Sequence, residues 1–215
     1  MKRLINYSWL LAGVLWPKTM LAQTHISWGP CLGGNAATVL QGTRVFYDAE
    51  VRPEFVVGPQ AGLMADIRWG KLSFQPHLLY SRKGYKYETG QPGTSGYQQY
   101  NLRLNYLEVP LNAVYTTGGD KGFQVFAGPY LGIGISGWQW YTTDWANKGN
   151  FPLDYGTDFR RLDAGVNGGV GYRVAQLQVQ VGYGLGLTNL RPSSGGSGLH
   201  NQVIQLSGAF LFTAK

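Results

Sequence analysis

Residues 175–188 read AQLQVQVGYGLGLT. Leu177, Val179, Val181, Tyr183, Leu185 and Leu187 alternate with Gln176, Gln178, Gln180, Gly182, Gly184 and Gly186, a strict period of two over 176–187. A helix would need apolar residues every three or four positions, so this stretch is a strand with one apolar face and one polar or side-chain-free face. The preceding segment repeats the pattern. Ala164, Val166, Val170 and Tyr172 face one way, and Asp163, Gly165, Asn167, Gly169, Gly171 and Arg173 the other.

The same alternation places strands at about 26–39, 55–68, 71–86, 101–115, 122–138, 160–174, 175–188 and 200–213. In 101–115 the phase is broken, with Leu102 and Leu104 in one register and Leu107, Val109 and Leu111 in the other, which predicts a bulge near Asn105–Tyr106. The connections alternate without exception between long (40–54, 87–100, 139–159, 189–199) and short or medium (69–71, 116–121, around 174–175). An even-stranded up-and-down membrane barrel requires that, because short turns collect at the periplasmic end and long loops at the outer end. A soluble sandwich gives no reason for it, and a lipocalin-like soluble barrel would need a polar exterior. The fold expected is all-β, an eight-stranded antiparallel up-and-down transmembrane β-barrel over residues 23–215.

Composition agrees. Charged residues make up 13% of the chain, about half the usual ~25%, while aromatics reach 14% and there are 32 glycines. No apolar run of 18 residues is present, so helical spans are not expected. Residues 1–22 carry Lys2 and Arg3, an apolar stretch from Trp9 to Trp16 and small residues up to Ala22, the layout of a secretory signal peptide. Removing it takes away three cations and lowers the formal charge from +7 to 7 − 3 = +4, which gives little reason to expect nucleic acid. Cys31 is the only cysteine, so an intrachain disulfide is impossible, and it reads as a small strand residue. Aromatics cluster toward the proposed interfaces: Trp69, Tyr115, Tyr172 and Phe212 at the periplasmic side, Tyr85, Trp138, Trp140 and Tyr141 at the outer side.

The stretch GPYLGIGISGW (128–138) contains Gly132-x-Gly134-x-x-Gly137, the spacing of a dinucleotide-binding fingerprint. That reading needs a helix opening at the third glycine, whereas Trp138-Gln139-Trp140-Tyr141 has no helical stripe, so no nucleotide is expected. Here Gly132 and Gly134 fall in an inward phase and Gly137 in the opposite one. The inward glycines of the fifth to seventh strands predict a smooth inner wall that leaves volume for bulkier side chains from strands three and four.

An eight-stranded barrel is just wide enough for side chains or one small ligand. The expected inward ionisable set is His77, Lys83, Glu108, Asp163 and Arg173, read as a structural hydrogen-bonded network because an unpaired buried charge is costly. His77 and Ser81 share a phase, yet their α-carbons would stand about 13 Å apart, too far for a Ser–His hydrogen bond. No metal-binding or nucleophile-elbow motif appears, so no catalytic, metal or cofactor residue is expected. The outer segment 139–159, QWYTTDWANKGNFPLDYGTDF, mixes aromatics with Asn, Asp and Thr, a composition suited either to binding sugars or proteins or to resting on the membrane surface.

The stretches PHLLYSRKG (76–84), LNYLEVPLNAVY (104–115), DAGVNGGVGYRV (163–174) with VGYGLGLTNL (181–190), and NQVIQLSGAFLF (201–212) resemble the PorT-like outer-membrane β-barrel family. The likeness covers nearly the whole mature chain but rests on wall features. Two positions depart from it: His77 stands where the family commonly has an acidic residue, and the chain runs on through Phe212-Thr213-Ala214-Lys215 instead of ending at an aromatic. The resemblance implies an eight-stranded barrel in a Gram-negative outer membrane, with some members assisting protein secretion. The reading is therefore a non-enzymatic barrel with a structural or interaction role through its outer loops or periplasmic rim. Its expected partners are outer-membrane lipid and envelope or secreted proteins; a secretion accessory and a barrel-borne lipid-modifying enzyme are the alternatives.

Overall fold

The computed structural model describes residues 24–41, 45–46, 49–50, 53–91, 94, 96–143, 147–156, 158–191 and 198–213. The signal-peptide assignment lies outside them. Eight strands form the wall: β1 Thr24–Gln41, β2 Val56–Trp69, β3 Leu72–Thr89, β4 Gln98–Thr116, β5 Lys121–Thr143, β6 Leu162–Val174, β7 Leu177–Gly186 and β8 Leu199–Phe210. Each pairs antiparallel with its neighbour in sequence, and β1 closes the ring against β8, from Cys31 opposite Ala209 to Gln41 opposite Leu199. Closure leaves no strand edge along the wall, which hydrocarbon demands.

The alternation read from 175–188 decides which side of this wall meets lipid. Val57 is 77% exposed, Phe123 71% and Leu177 57%, with Leu63, Leu78, Leu131, Val170, Val181 and Leu206 exposed on the same outer surface. Inward positions of the same strands are polar or glycine: Gln178, Gln180 and Gln124 are buried. A girdle rings the end that carries the short turns, with Phe123 against Tyr172 at 5.0 Å, Trp28 against Phe212 at 6.1 Å, and Trp69 and Tyr115 exposed beside them. Trp138 and Tyr141 are exposed toward the other end. Tyr85, assigned from sequence to that outer girdle, is instead buried inside the mouth, because it shares the inward phase of Lys83.

Two expected long loops are partly ladder. β3 and β4 stay paired to Thr89 opposite Gln98, and β5 continues to Thr143 and folds back on the short strand Asn147–Pro152. The wall therefore stands well beyond its apolar band on the β3–β5 side. Within the 42–55 connection, Val45–Phe46 and Ala49–Glu50 pair with each other.

The irregularity expected near Asn105–Tyr106 is present, as a register shift between β4 and β5 at that point. It does not flip β4: Leu102, Leu104, Tyr106 and Glu108 all face inward, while Leu107, Val109 and Leu111 face out. The apparent phase break arises because β4 is apolar outside in its lower half and apolar inside in its upper half. The extra residue lies in β5, where Asn105 pairs with Ser136 and Tyr106 with Gly134, leaving Ile135 unmatched.

Val181 sits opposite Val170 and Leu206 on the lipid face, four residues above the β6–β7 turn. At about 3.3 Å per residue and a tilt of about 40° that is near the middle of an apolar band about 25 Å tall. Val181→Arg is expected to lower unfolding free energy in lipid vesicles by about 2–4 kcal/mol. Denaturant titration followed by tryptophan fluorescence measures it, and no change would place β7 away from lipid.

Candidate functional site

The interior is filled in tiers whose composition follows from the phase of each strand. Near the short turns, Asp66 is fully buried and receives Arg173 Nη1 at 2.5 Å, Arg68 Nη2 at 3.4 Å and Gln75 Nε2 at 3.0 Å. Gln75 and Gln178 exchange side-chain hydrogen bonds at 3.1 Å in both directions, and Gln124 donates to Gln178 Oε1 and to Thr116 Oγ1, each at 3.2 Å. Arg68 also donates to Gly119 O at 3.0 Å and pairs with the exposed Asp120, which fixes the β4–β5 turn over this end. Arg173 Nε donates to Ala175 O at 3.1 Å and holds the β6–β7 turn in the same way.

Farther out, Lys83 Nζ lies between Glu108 and Asp163, 3.1 Å from Asp163 Oδ2. Asp163 Oδ2 accepts from Asn201 Nδ2 at 2.8 Å and from the Tyr130 hydroxyl at 3.3 Å. The ammonium also sits 4.5 Å from the Tyr130 ring centroid and 5.4 Å from that of Tyr106. One cation thus faces two carboxylates, and the remaining acceptor capacity of Asp163 is met by an amide and a phenol. That satisfaction is what makes burial of such a group tolerable.

Between these tiers lies an apolar patch of Cys31, Met64, Leu79, Ala209 and Leu211. His77 faces inward beside it, opposite Met64 in register, and its Nε2 has no hydrogen-bond partner among the described residues. Cys31 is a small buried strand residue, as expected.

The mouth at the long-loop end is closed by Val39, Tyr85, Leu102, Leu104, Tyr106 and Leu199 from the wall, with Leu153, Phe159 and Leu190 from the loops. Tyr155 folds in above them. Its hydroxyl donates to Ser136 O at 3.2 Å, its ring meets Tyr106 edge-on at 6.4 Å, and burial raises its pKa. So Leu153, Tyr155 and Phe159, read from sequence as part of a binding loop or a membrane rest, pack down into the barrel.

This explains the glycine spacing of 132–137. With Ile135 bulged out, Gly132, Gly134 and Gly137 all face inward, which overturns the expectation that Gly137 lies on the opposite face. A Cβ on Gly134 would stand 2.4 Å from the Tyr155 ring, and one on Gly137 3.1 Å from Leu104 and Leu153. Elsewhere on the inner wall, a Cβ on Gly165 would meet Tyr130 at 2.7 Å, and Cβ atoms on Gly169 and Gly182 would meet Phe126 at 2.8 and 2.9 Å. The bulky residues that use this space come chiefly from β5 and the outer loop, joined by Leu104 of β4, rather than from β3.

Of the five ionisable residues expected inside, Lys83, Glu108 and Asp163 meet, Arg173 belongs to the separate lower tier, and His77 to neither. Asp66 and Arg68 were missed, together with the bridging amides Gln75, Gln124 and Gln178. The signal for Asp66 and Arg68 is the phase they share with Gln60 and Met64, against Leu63 and Ile67 on the lipid side. Ser81, considered with His77 as a nucleophile and base, accepts from Asn35 Nδ2 at 2.8 Å. Among the described residues no group of His, Cys, Asp or Glu is arranged to hold a metal ion.

Lys83→Met leaves Glu108 and Asp163 facing each other without a cation, and is expected to cost about 3–5 kcal/mol of unfolding free energy. Glu108→Gln keeps the Lys83–Asp163 pair and should cost clearly less. Denaturant titration of both variants in one detergent decides it, and equal losses would mean that the pairing does not carry the upper tier. Gly134→Val should displace Tyr155 and speed proteolytic cleavage within 147–161 while the wall strands stay protected. An unchanged cleavage rate would mean Tyr155 is not seated in the mouth.

The family model of the outer membrane protein beta-barrel domain matches residues 21–191. No curated protein matches the sequence. Among solved structures the fold is similar to Ail, the attachment invasion locus protein of Yersinia pestis, in complex with the heparin analogue sucrose octasulfate, at 7% identity over 88% of this chain and 100% of that one, TM-score 0.44. It is also similar to Neisserial surface protein A, at 13% identity over 86% and 99%, TM-score 0.41. A third is OprG from Pseudomonas aeruginosa, at 13% identity over 88% and 93%, TM-score 0.32.

Proposed function

Because the chain belongs to the outer membrane protein beta-barrel domain family, we propose that it is a non-enzymatic interaction protein of the Gram-negative outer membrane, exported by residues 1–22, whose working surface is the sheet standing above the outer leaflet. The supporting observation is the continuation of β3, β4 and β5 past their apolar band. On β3 the lipid-facing run ends at Tyr80, yet the strand goes on to Thr89, about 30 Å farther along its direction at ~3.3 Å per residue. This extension is stiff. Tyr87 stacks on Tyr100 at 5.1 Å, the Tyr100 hydroxyl donates to Gln139 Oε1 at 3.0 Å, and Gln99 Nε2 donates to Glu88 Oε1 at 2.9 Å. Lys86 pairs with Glu54 at 2.8 Å and ties the 42–55 connection to it. Ladder built beyond what crossing the membrane requires offers a pre-formed surface, which loses less entropy on binding than a loose loop.

The filled interior supports the non-catalytic part of this reading. Apart from His77, its acids and bases are engaged with one another within two tiers, Asp66 with Arg68 and Arg173, and Lys83 with Glu108 and Asp163. A second reading, an accessory of a protein-secretion apparatus, is supported by the wall segments that resemble the PorT-like family and would place the partner at the periplasmic rim. A photo-crosslinker placed in intact cells at Gln99 or Thr142 is expected to capture an envelope or secreted protein, while the same group at Asp120 or Gln176 stays unreacted. Capture only from the two turn positions would sink the outer-surface reading in favour of the secretion accessory.

A further inference from the structure

On the outside of β3–β5 the wall carries an open cavity of about 180 Å³, lined by Arg82, Arg103, Asn105, Trp138 and Trp140. All five belong to the outward phase, at the level where the apolar surface stops. In register, Arg82 lies opposite Asn105 and Asn105 opposite Ser136; one step farther out, Arg103 lies between Gly84 and Trp138. Gly84 has no side chain to cover the guanidinium beside it. Arg82 is ten residues along β3 from Leu72 at the short-turn end. At about 3.3 Å per residue and a tilt of about 40° it stands about 25 Å up, the height of a barrel's apolar band. The cavity therefore opens at the boundary between hydrocarbon and headgroups of the outer leaflet.

Arg82 is fixed rather than free. Its Nε donates to Asn105 Oδ1 at 3.0 Å and its Nη2 to the Tyr80 hydroxyl at 3.3 Å; Tyr80 in turn donates to Asn105 Oδ1 at 2.8 Å, and Asn105 Nδ2 to Ser136 Oγ at 2.8 Å. The Arg103 guanidinium lies 4.8 Å from the Trp140 ring centroid, and its Nε has no hydrogen-bond partner among the described residues. Among those residues no carboxylate pairs with either arginine, whereas Lys83, Lys86, Arg68 and Arg173 each have at least one. Two oriented guanidinia without counter-ions at the edge of hydrocarbon are costly unless an anion completes them. Their planar donor sets match phosphate oxygens, and exposed tryptophan is at home at headgroup level. At about 30 Å³ per water, the cavity has room for a group of several heavy atoms such as phosphate.

We propose that the notch formed by Arg82, Arg103 and Trp140 binds the phosphate of an anionic lipid in the outer leaflet. The site lies on the lipid-facing wall and is independent of the protein-interaction reading above, so failure of the crosslinking experiment leaves it standing.

The test uses the mature barrel in a non-ionic detergent, titrated by native mass spectrometry with dihexanoyl phosphatidic acid, dihexanoyl phosphatidylcholine and inorganic phosphate. Phosphatidic acid is expected to bind at least about tenfold more tightly than phosphatidylcholine. In the double variant R82Q/R103Q that affinity should fall about tenfold or more, with gel mobility of unheated samples unchanged, while phosphatidylcholine binding stays as it was. Inorganic phosphate should bind at least about tenfold more weakly than the lipid, because the acyl chains hold the headgroup at this depth. Equal phosphatidic acid affinity in the double variant, or equal affinity for the zwitterionic lipid, overturns the site; inorganic phosphate bound as tightly as the lipid overturns the lipid assignment. Should the double variant fail to reach the unheated mobility of the parent, Arg103→Gln alone carries the test. A loss of about threefold or more upholds the site, and unchanged affinity overturns it.

Discussion

A strand in hydrocarbon cannot leave its amides unpaired, and everything else in this molecule follows from that. Eight strands meet the demand only by closing on themselves, β1 against β8, so that every wall strand has a neighbour on both sides. Closure at this strand number fixes a narrow interior. The side chains directed into that interior then have no bulk water to satisfy them, and the sequence must supply a counter-charge for each carboxylate it puts there. The two ionic tiers are that supply: Asp66 with Arg68 and Arg173 at one level, Lys83 with Glu108 and Asp163 at the other.

Volume is the second consequence. The ring encloses too little space for large side chains from every strand. β6 and β7 therefore present glycine inward at Gly165, Gly169 and Gly182, and Phe126 and Tyr130 of β5 occupy the space that results. The outer mouth repeats the device with Gly134 and Gly137 beneath Tyr155 and Leu153. Backbone freedom is not what these glycines supply, since none of them has a positive φ; they supply the absence of a Cβ. Seen this way, a spacing that imitates a phosphate-binding turn is a row of seats for a folded-back loop.

How much of this is legible in the sequence depends on whether parity suffices. The eight strands and the inward face of β6 and β7 follow from alternation alone, because one face meets lipid and the other does not. Parity also contained Asp66 and Arg68, which share the phase of Met64, but their strand is rich in small and apolar residues and its inward face does not advertise itself. What parity cannot give is the partner across the barrel: Asp66 and Arg173 are 107 residues apart, and Lys83 and Asp163 are 80. Nor can it place Tyr85 or Gly137. For Tyr85, an aromatic near a strand's outer end suits a girdle and a plug equally. For Gly137, one bulged residue exchanges the two faces.

That exchange marks where the membrane ends. Below it, the outside of β3, β4 and β5 is Leu78, Leu107 and Leu131; above it, the outside becomes Arg82, Asn105 and Ser136, and the apolar residues move inside as Tyr85, Leu104 and Leu102. The three strands change together because register ties them: Tyr80 pairs with Leu107 and Leu107 with Ile133, and in the next outward row Arg82 pairs with Asn105 and Asn105 with Ser136. The bulge falls in that same row. A uniform ladder would carry β5 through the boundary with its phase unchanged and turn Gly137 outward. It would also direct Trp138 into a mouth that Leu104 and Leu153 already fill. Leaving Ile135 unmatched lets the strand keep apolar residues toward lipid on one side of the boundary and set its tryptophans outside on the other.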